Sequence, residues 1–358
     1  MIADTAGHIA VQCAGRIPLR STAERGFRPG WDPRHQWLGL LPFEALPHCV
    51  NPSRGWLATA NNRLAGDDYA YPLFGTWISG YRAARIREMI ESQIATRAND
   101  PSNGGFEMAH HRVMHQDVLS LRAIKCVPLL IKVLENIQHP QLQAAVSCLR
   151  DWNGHVEAHL VAPTLFNVFF TRWSKAVTDI YFEGETAELL AKQAEYVASR
   201  LLEADPSGWL VPGTRETGIR NVFLKTLAYL TERFGDDMTA WTWSRIHQIP
   251  LKHVLSTRGD LGQLLNHGGG PVKGDMITVC NTGSGPDWIA NSGAGYRLIA
   301  DLAEYGLWAV DGSSQSGNVG TEHYADQFNL WNNGEYHFIP LDSDRVDDVT
   351  VMRMVLSR

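Results

Sequence analysis

His110, His111 and His115 are the first residues whose type and spacing suggest chemistry. On a helix His111 and His115 share a face, as two ligands of a helical zinc site do, and Asp117 lies close by. That zinc pattern also needs a glutamate beside the first histidine and a remote third ligand, and Arg112 stands in the neighbouring position. The blander reading, a capping or solvated stretch before the next helix, is preferred, and no metal ligand is assigned. Gly268-Gly269-Gly270 and Gly283-Ser284-Gly285 lack the Lys-Ser/Thr that follows a phosphate cradle, and read as tight turns in a sheet. The run GSSQSG at 312–317 has no strand-elbow-helix setting for a nucleophilic serine. Asn61-Asn62, taken alone, is a dipeptide that closes a strand in a turn. Cys13, Cys49, Cys126, Cys148 and Cys280 form no CxxC pair and are odd in number, so they read as small buried thiols.

The elements that must position these residues fall into three stretches. Residues 1–79 read as strands and turns, with strands expected at His8 to Cys13 and Gly55 to Ala60 around a Pro/Gly/Trp-rich loop. Residues 80–235 read as a mainly helical insertion. Ile86, Ile90 and Ile94 mark one helix, and Val118, Leu121 and Ile124 a second that Pro128 should kink or break. Pro140 opens a third, striped by Leu142, Ala145, Leu149 and Trp152 and stopped by Asn153-Gly154. Further helices fit Leu165 to Trp173, Ala187 to Leu202, and the series Phe223, Leu227, Leu230, Phe234. Residues 236–358 return to strands at Met276 to Cys280, Gly295 to Leu302, Trp308 to Asp311 and Val349 to Leu356. A helical insert, His323 to Trp331, lies among them, and Val349 to Leu356 is apolar enough to be covered on both faces. The net charge of −6, without a basic block, argues against nucleic acid as a partner. No apolar run is long enough to span a membrane, and the first residues lack the pattern of a signal peptide.

Several blocks, in order, carry a resemblance. They are AGRIPLR (14–20), GWDPRHQWLGLLPFEALPHCVNP (30–52), VNPSRGWLATANNRLAGDDYAYPLFGTWISGYRAARI (50–86) and QDVLSLRA (116–123). WTWSRIHQI (241–249), SGAGYRLIADLA (292–303) and SQSGN followed by HYADQFNLWNNGEYHFIPL (323–341) continue the series. Together they resemble the penicillin acylase family, also called penicillin amidases, over almost the whole chain, at the C-terminal part of the large (β) chain.

The resemblance implies an α+β fold, the four-layer αββα sandwich of N-terminal-nucleophile hydrolases, here incomplete and carrying a helical insertion. It implies an amidohydrolase made as a zymogen that cuts itself into α and β chains. The new N-terminal serine of β attacks an acyl amide, and its own α-amine serves as base through water. One donor to the oxyanion is an asparagine side chain, matched by Asn61, and an arginine matched by Arg82 orients both that asparagine and the N-terminal amine. An uncharged carboxamide suits a developing alkoxide, and an arginine fork can hold the carboxamide oxygen so that the amide does not flip. Arg85, one turn on, is the alternative match for the arginine.

The chain departs from the family at the nucleophile. Ser102-Asn103 is followed by Gly-Gly rather than by the family's maturation sequence, and residue 1 is Met. The expected partners are therefore the α chain, the N-terminal part of the β chain and a small-molecule amide, with no nucleic acid and no membrane. No motif demands a cofactor. The resemblance leaves calcium open for a complete enzyme, although Ala70, Tyr71, Pro72 and Leu73 occupy the region of one expected aspartate ligand. Relatives of this kind are periplasmic or secreted. The chain alone is expected to be inactive and poorly soluble, with apolar strand edges exposed. The alternatives are a non-catalytic remnant acting as a binding or assembly partner, a zinc hydrolase built on His111 and His115, and a binding module using the Trp-rich loops.

Overall fold

In this computed structural model every residue is described except 22–26, 72, 74, 76, 100–105, 357 and 358. The Ser102-Asn103 comparison and Pro72 lie outside the described residues.

The middle of the chain folds as helices because its apolar residues recur at helical spacing. They are α1 (Tyr81–Asn99), α2 (Met108–His115), α3 (Leu121–Leu134), α4 (Pro140–Arg150), α5 (Ala162–Thr178), α6 (Gly184–Ala191), α7 (Glu195–Glu203), α8 (Arg215–Phe234) and the single turn α9 (Trp243–Ile246). Helix α5 is the hub. Every residue from Ala162 to Phe170 is buried, as expected of a helix covered on all sides, and α4, α6, α7, α8 and α9 pack on it. Its rings interlock with the rest: Phe169 stacks on Trp173 and tilts against Phe223, and Phe166 meets Trp152. Local chemistry fixes the helix ends. The Ser120 hydroxyl accepts from the Ala123 amide at 3.2 Å, Pro140 opens α4, and Gly235 at φ +86° follows α8.

Three helical expectations change. Helix α3 runs through Pro128, which faces solvent, so water can serve the carbonyl that the missing N–H leaves open. Its buried stripe is Ala123, Cys126, Val127, Leu130 and Leu134; Ile124 is exposed and Val118 precedes the helix. The single helix expected over Ala187 to Leu202 is two, α6 and α7, joined by a turn at 192–194. The bend lets both Ala187 and the Ala198–Leu202 face reach α5, which one straight rod would not.

The flanking segments form small antiparallel sheets. Ahead of the helices, β1 (Ile2–Ala3), β2 (Ile9–Gln12), β3 (Pro18–Leu19), β4 (Gly39–Leu40) and β5 (His48–Val50) pair as β1-β2-β5 and β3-β4. After them come β6 (Gln248–Leu251), α10 (Leu261–Leu265), β7 (Gly268–Pro271), β8 (Thr282–Ser284), β9 (Ala290–Gly293), β10 (Tyr296–Asp301), β11 (Gly306–Asp311), α11 (Phe328–Asn333), β12 (His337–Pro340) and α12 (Ser343–Val349). They pair as β6-β7, β8-β9 and β10-β11-β12. A second, smaller core of Val272, Ala290, Val310, Phe328 and Trp331 joins these strands to α11.

Three expected strands are absent, and two appear where tight turns were expected. One of these is β8, in which Gly283 and Ser284 pair with Ser292 and Ala290. Gly55 to Ala60 makes no ladder. Met276 to Cys280 is a turn, because the Asp275 carboxylate accepts from the amides of Ile277 (2.7 Å) and Thr278 (3.0 Å). Val349 to Leu356 begins at the end of α12, capped by Asp342, and continues as exposed coil with no described strand beside it. Gly268-Gly269-Gly270 is the strand β7, where glycine is required: a Cβ on Gly269 would meet the Ile249 carbonyl oxygen at 1.9 Å.

Candidate active site

Asn61 sits at φ +59°, a left-handed backbone that asparagine tolerates better than most residues. Its neighbour closes the turn: Asn62 Oδ1 accepts from the Ala60 amide at 2.9 Å, and Asn62 Nδ2 donates to the Arg63 carbonyl at 3.0 Å. The Asn61 carbonyl accepts from the Ile78 amide at 3.1 Å, which draws the approach to α1 alongside the turn. Helix α1 starts three residues after Ile78, so Arg82 stands in its first turn.

Arg82 Nη2 donates to Asn61 Oδ1 at 2.9 Å. A guanidinium has only donors, so the carboxamide oxygen is the atom that faces it and Nδ2 points away. Among the described residues Nδ2 donates to nothing, and Asn61 is exposed. Burial pulls the Arg82 pKa below its ordinary value, yet the group stays cationic at any working pH. A cation in the first turn of a helix faces the positive end of the helix dipole, a small penalty that a specific hydrogen-bond partner offsets. The arrangement is an uncharged N–H donor held in a fixed direction by a half-buried cation, with solvent in front of it.

Arg85, the alternative match, turns elsewhere. Its fork grips Asp117, with Nη2 to Oδ2 at 2.7 Å and Nε to Oδ1 at 3.1 Å, and Nη1 reaches Glu88 at 3.4 Å. The spacing of Arg82 and Arg85 did not say which would face Asn61; the contacts do.

The histidines do not converge. His110 Nδ1 accepts from the Glu107 amide at 2.9 Å and so caps α2, His111 packs on Phe106, and His115 Nδ1 bonds the Tyr336 hydroxyl at 2.7 Å. No group of three metal-binding side chains occurs among the described residues. Burial, and then the Arg297 charge, push the His115 pKa down to about 4. The thiols differ: Cys126 and Cys280 are buried, while Cys13, Cys49 and Cys148 are partly exposed. Trp31 and Trp37 are exposed on the N-terminal loop, whereas Trp241 and Trp243 are fully buried.

A groove of about 670 Å³ runs between the β1-β2 hairpin, Trp56 and one side of α1, lined by Ile9, Ile90, Ile94 and Phe106 with Arg97 and His111 beside them. Neither Asn61 nor Arg82 lines it. A deeper polar cluster, carried by no sequence motif, surrounds Arg122. Arg122 lies against Phe170, donates to Glu195 at 2.8 Å and to Asn167 at 3.2 Å, and stands 4.0 Å from Asp275. The one sequence signal for it is an arginine at a position that the helical stripe buries.

The family model described as penicillin amidase matches residues 1–348. The chain is 26% identical to the acyl-homoserine lactone acylase QuiP of Pseudomonas aeruginosa, over 96% of this chain and 44% of that protein. It is 27% identical to the penicillin acylase 2 proenzyme of Pseudomonas sp. strain SE83, over 92% of this chain and 42% of that protein. The chain thus spans less than half the length of these curated relatives. Among solved structures, a thermostable penicillin G acylase from Alcaligenes faecalis superposes with a TM-score of 0.63 at 17% identity, over 99% of this chain and 67% of that one. The likeness fixes an α+β fold shared with that acylase. No helix among the described residues is long and apolar enough to cross a membrane.

Proposed function

The chain belongs to the penicillin amidase family, and from that premise we propose that it supplies the oxyanion-binding half of an amidohydrolase site whose nucleophile lies in polypeptide beyond these 358 residues. The observation that carries the reading is the 2.9 Å bond from Arg82 to the Asn61 oxygen, which leaves the amide N–H facing outward. In the proposed reaction an N-terminal serine hydroxyl attacks the carbonyl of an N-acylated small molecule. Its proton passes through water to the serine's own α-amine and then to the leaving amine, and water releases the acyl group in a second step. The negative charge that grows on the carbonyl oxygen takes a hydrogen bond from Asn61 Nδ2. Arg82 does not touch the substrate; it prevents the carboxamide from turning its oxygen toward that charge. Joined to the remaining polypeptide, the small sheets described above are proposed to complete a four-layer sandwich.

The names of the relatives suggest two substrate classes, acyl-homoserine lactones and penicillins, which share an acyl group on a secondary amide. The test uses this chain together with a segment bearing the N-terminal serine, assayed on an N-acyl amide of each class. Turnover that requires both parts supports the proposal. Turnover by the pure 358-residue chain would refute the placement of the nucleophile outside it.

A further inference from the structure

Helix α1 carries Arg82, yet apolar packing holds it weakly: Ile90 is its one buried residue. Its firm polar anchor is the fork of Arg85 on Asp117, with bonds of 2.7, 3.1 and 3.2 Å. Asp117 is itself fixed. Its side chain is 7% exposed, its amide donates to the Met114 carbonyl at 3.2 Å, and its carbonyl accepts from the Cys280 amide at 2.8 Å. It thus ties the end of α2 to the turn before β8. Arg82 and Arg85 are three residues apart on one helix face, about 4.5 Å along its axis. A bidentate guanidinium–carboxylate pair fixes direction as well as distance, so it sets both the rotation and the depth of the first turns of α1.

We propose that Arg85 and Asp117 are positioning residues, whose clamp on α1 sets the place of Arg82 and, through it, the direction of the Asn61 amide. The inference rests on Asn61 acting as an oxyanion donor. Among the described residues neither Arg85 nor Asp117 hydrogen-bonds Asn61, and the hydrogen bonds of Arg85 go to Asp117 and Glu88. Loss of the clamp therefore reaches the reaction only through helix placement. A displacement of about 1 Å at a reacting group lowers a rate on the order of a hundredfold.

The test compares Arg85→Lys, which keeps the charge and loses the fork, with Asp117→Asn and Asn61→Ala, all in the complete enzyme. The expected result for Arg85→Lys is a folded protein whose kcat falls between about tenfold and a hundredfold with KM within about twofold. The Asn61 side-chain amide resonance should shift as well. Asp117→Asn should do the same if Arg85→Lys fails to fold. A folded Arg85→Lys enzyme with wild-type kcat and an unmoved Asn61 resonance overturns the inference. If Asn61→Ala slows the enzyme while both clamp variants leave kcat intact, the positioning role alone fails. If Asn61→Ala is itself silent, the underlying reading of the site fails instead.

Discussion

Replacing Asn61 tests the site most informatively when the backbone and the donor are separated. Asn61 sits at φ +59°, so Asn61→Ala removes the amide and also forces a Cβ without a compensating polar group into left-handed backbone. That conformation costs an ordinary residue about 1–2 kcal/mol, which glycine does not pay. Asn61→Gly removes the amide alone. Loss of one oxyanion donor lowers the acylation rate by roughly two to three orders of magnitude, about 2.7–4 kcal/mol of barrier. The two variants should therefore share a similar fall in acylation rate while differing by about 1 kcal/mol in stability. Asn61→Asp adds a third arm. Its carboxylate keeps an acceptor toward Arg82, now as an ion pair, but offers no N–H, and its charge opposes the oxyanion; its rate should fall at least as far as that of the glycine variant. The assay is the pre-steady-state release of a chromogenic amine from an N-acyl anilide, with urea unfolding in parallel. A glycine variant that acylates at the wild-type rate would remove Asn61 from the chemistry, whatever the stabilities show.

Three further outcomes follow from the packing. His115 has a folded pKa near 4 against an ordinary value of 6.5, so the unfolded chain takes up the proton first. Stability present above pH 6.5 should then decline as the pH falls toward 4. Midpoints of urea unfolding across that range should fall less steeply in His115→Gln than in wild type, and parallel slopes would contradict the assignment. Phe169, fully buried between Trp173 and Phe223, should cost about 3–5 kcal/mol on truncation to alanine; a loss under about 1 kcal/mol in urea unfolding would show that α5 is not the hub. Gly274 lies at φ +79°, where a Cβ would stand 2.1 Å from the Cys280 carbonyl oxygen, so Gly274→Ala should destabilise by about 2 kcal/mol or more. A neutral effect in thermal unfolding would mean that the turn before β8 is not held as described.

The sequence made the helices legible where burial writes a stripe. Leu142, Ala145 and Leu149 in α4 and Phe223, Leu227 and Leu230 in α8 are buried as their spacing implies. Periodicity was silent where side chain meets backbone. The carboxylate of Asp275 turns the apolar run Met276 to Cys280 into a loop, and no hydrophobic count registers that bond. Val349 to Leu356 has strand composition, but a strand also needs a neighbour, and none is described beside it. The candidate site shows the same division. Asn61 and Arg82 were legible only through the flanking blocks of the family, since an Asn-Asn pair alone reads as a turn, and Asn62 does close one. Which of two arginines would face Asn61 depended on Asp117, thirty-two residues beyond Arg85, a tertiary contact that sequence spacing does not encode.

The proposed role of Asn61 depends on the direction of one N–H bond. The direct measurement is a structure of the complete enzyme bearing a tetrahedral adduct, such as a boronate, on its N-terminal serine. Asn61 Nδ2 is expected at about 2.7–3.1 Å from an adduct oxygen, with Arg82 still bonded to Asn61 Oδ1. An adduct oxygen satisfied wholly by other groups, with the Asn61 amide turned back into its own turn, would contradict that role.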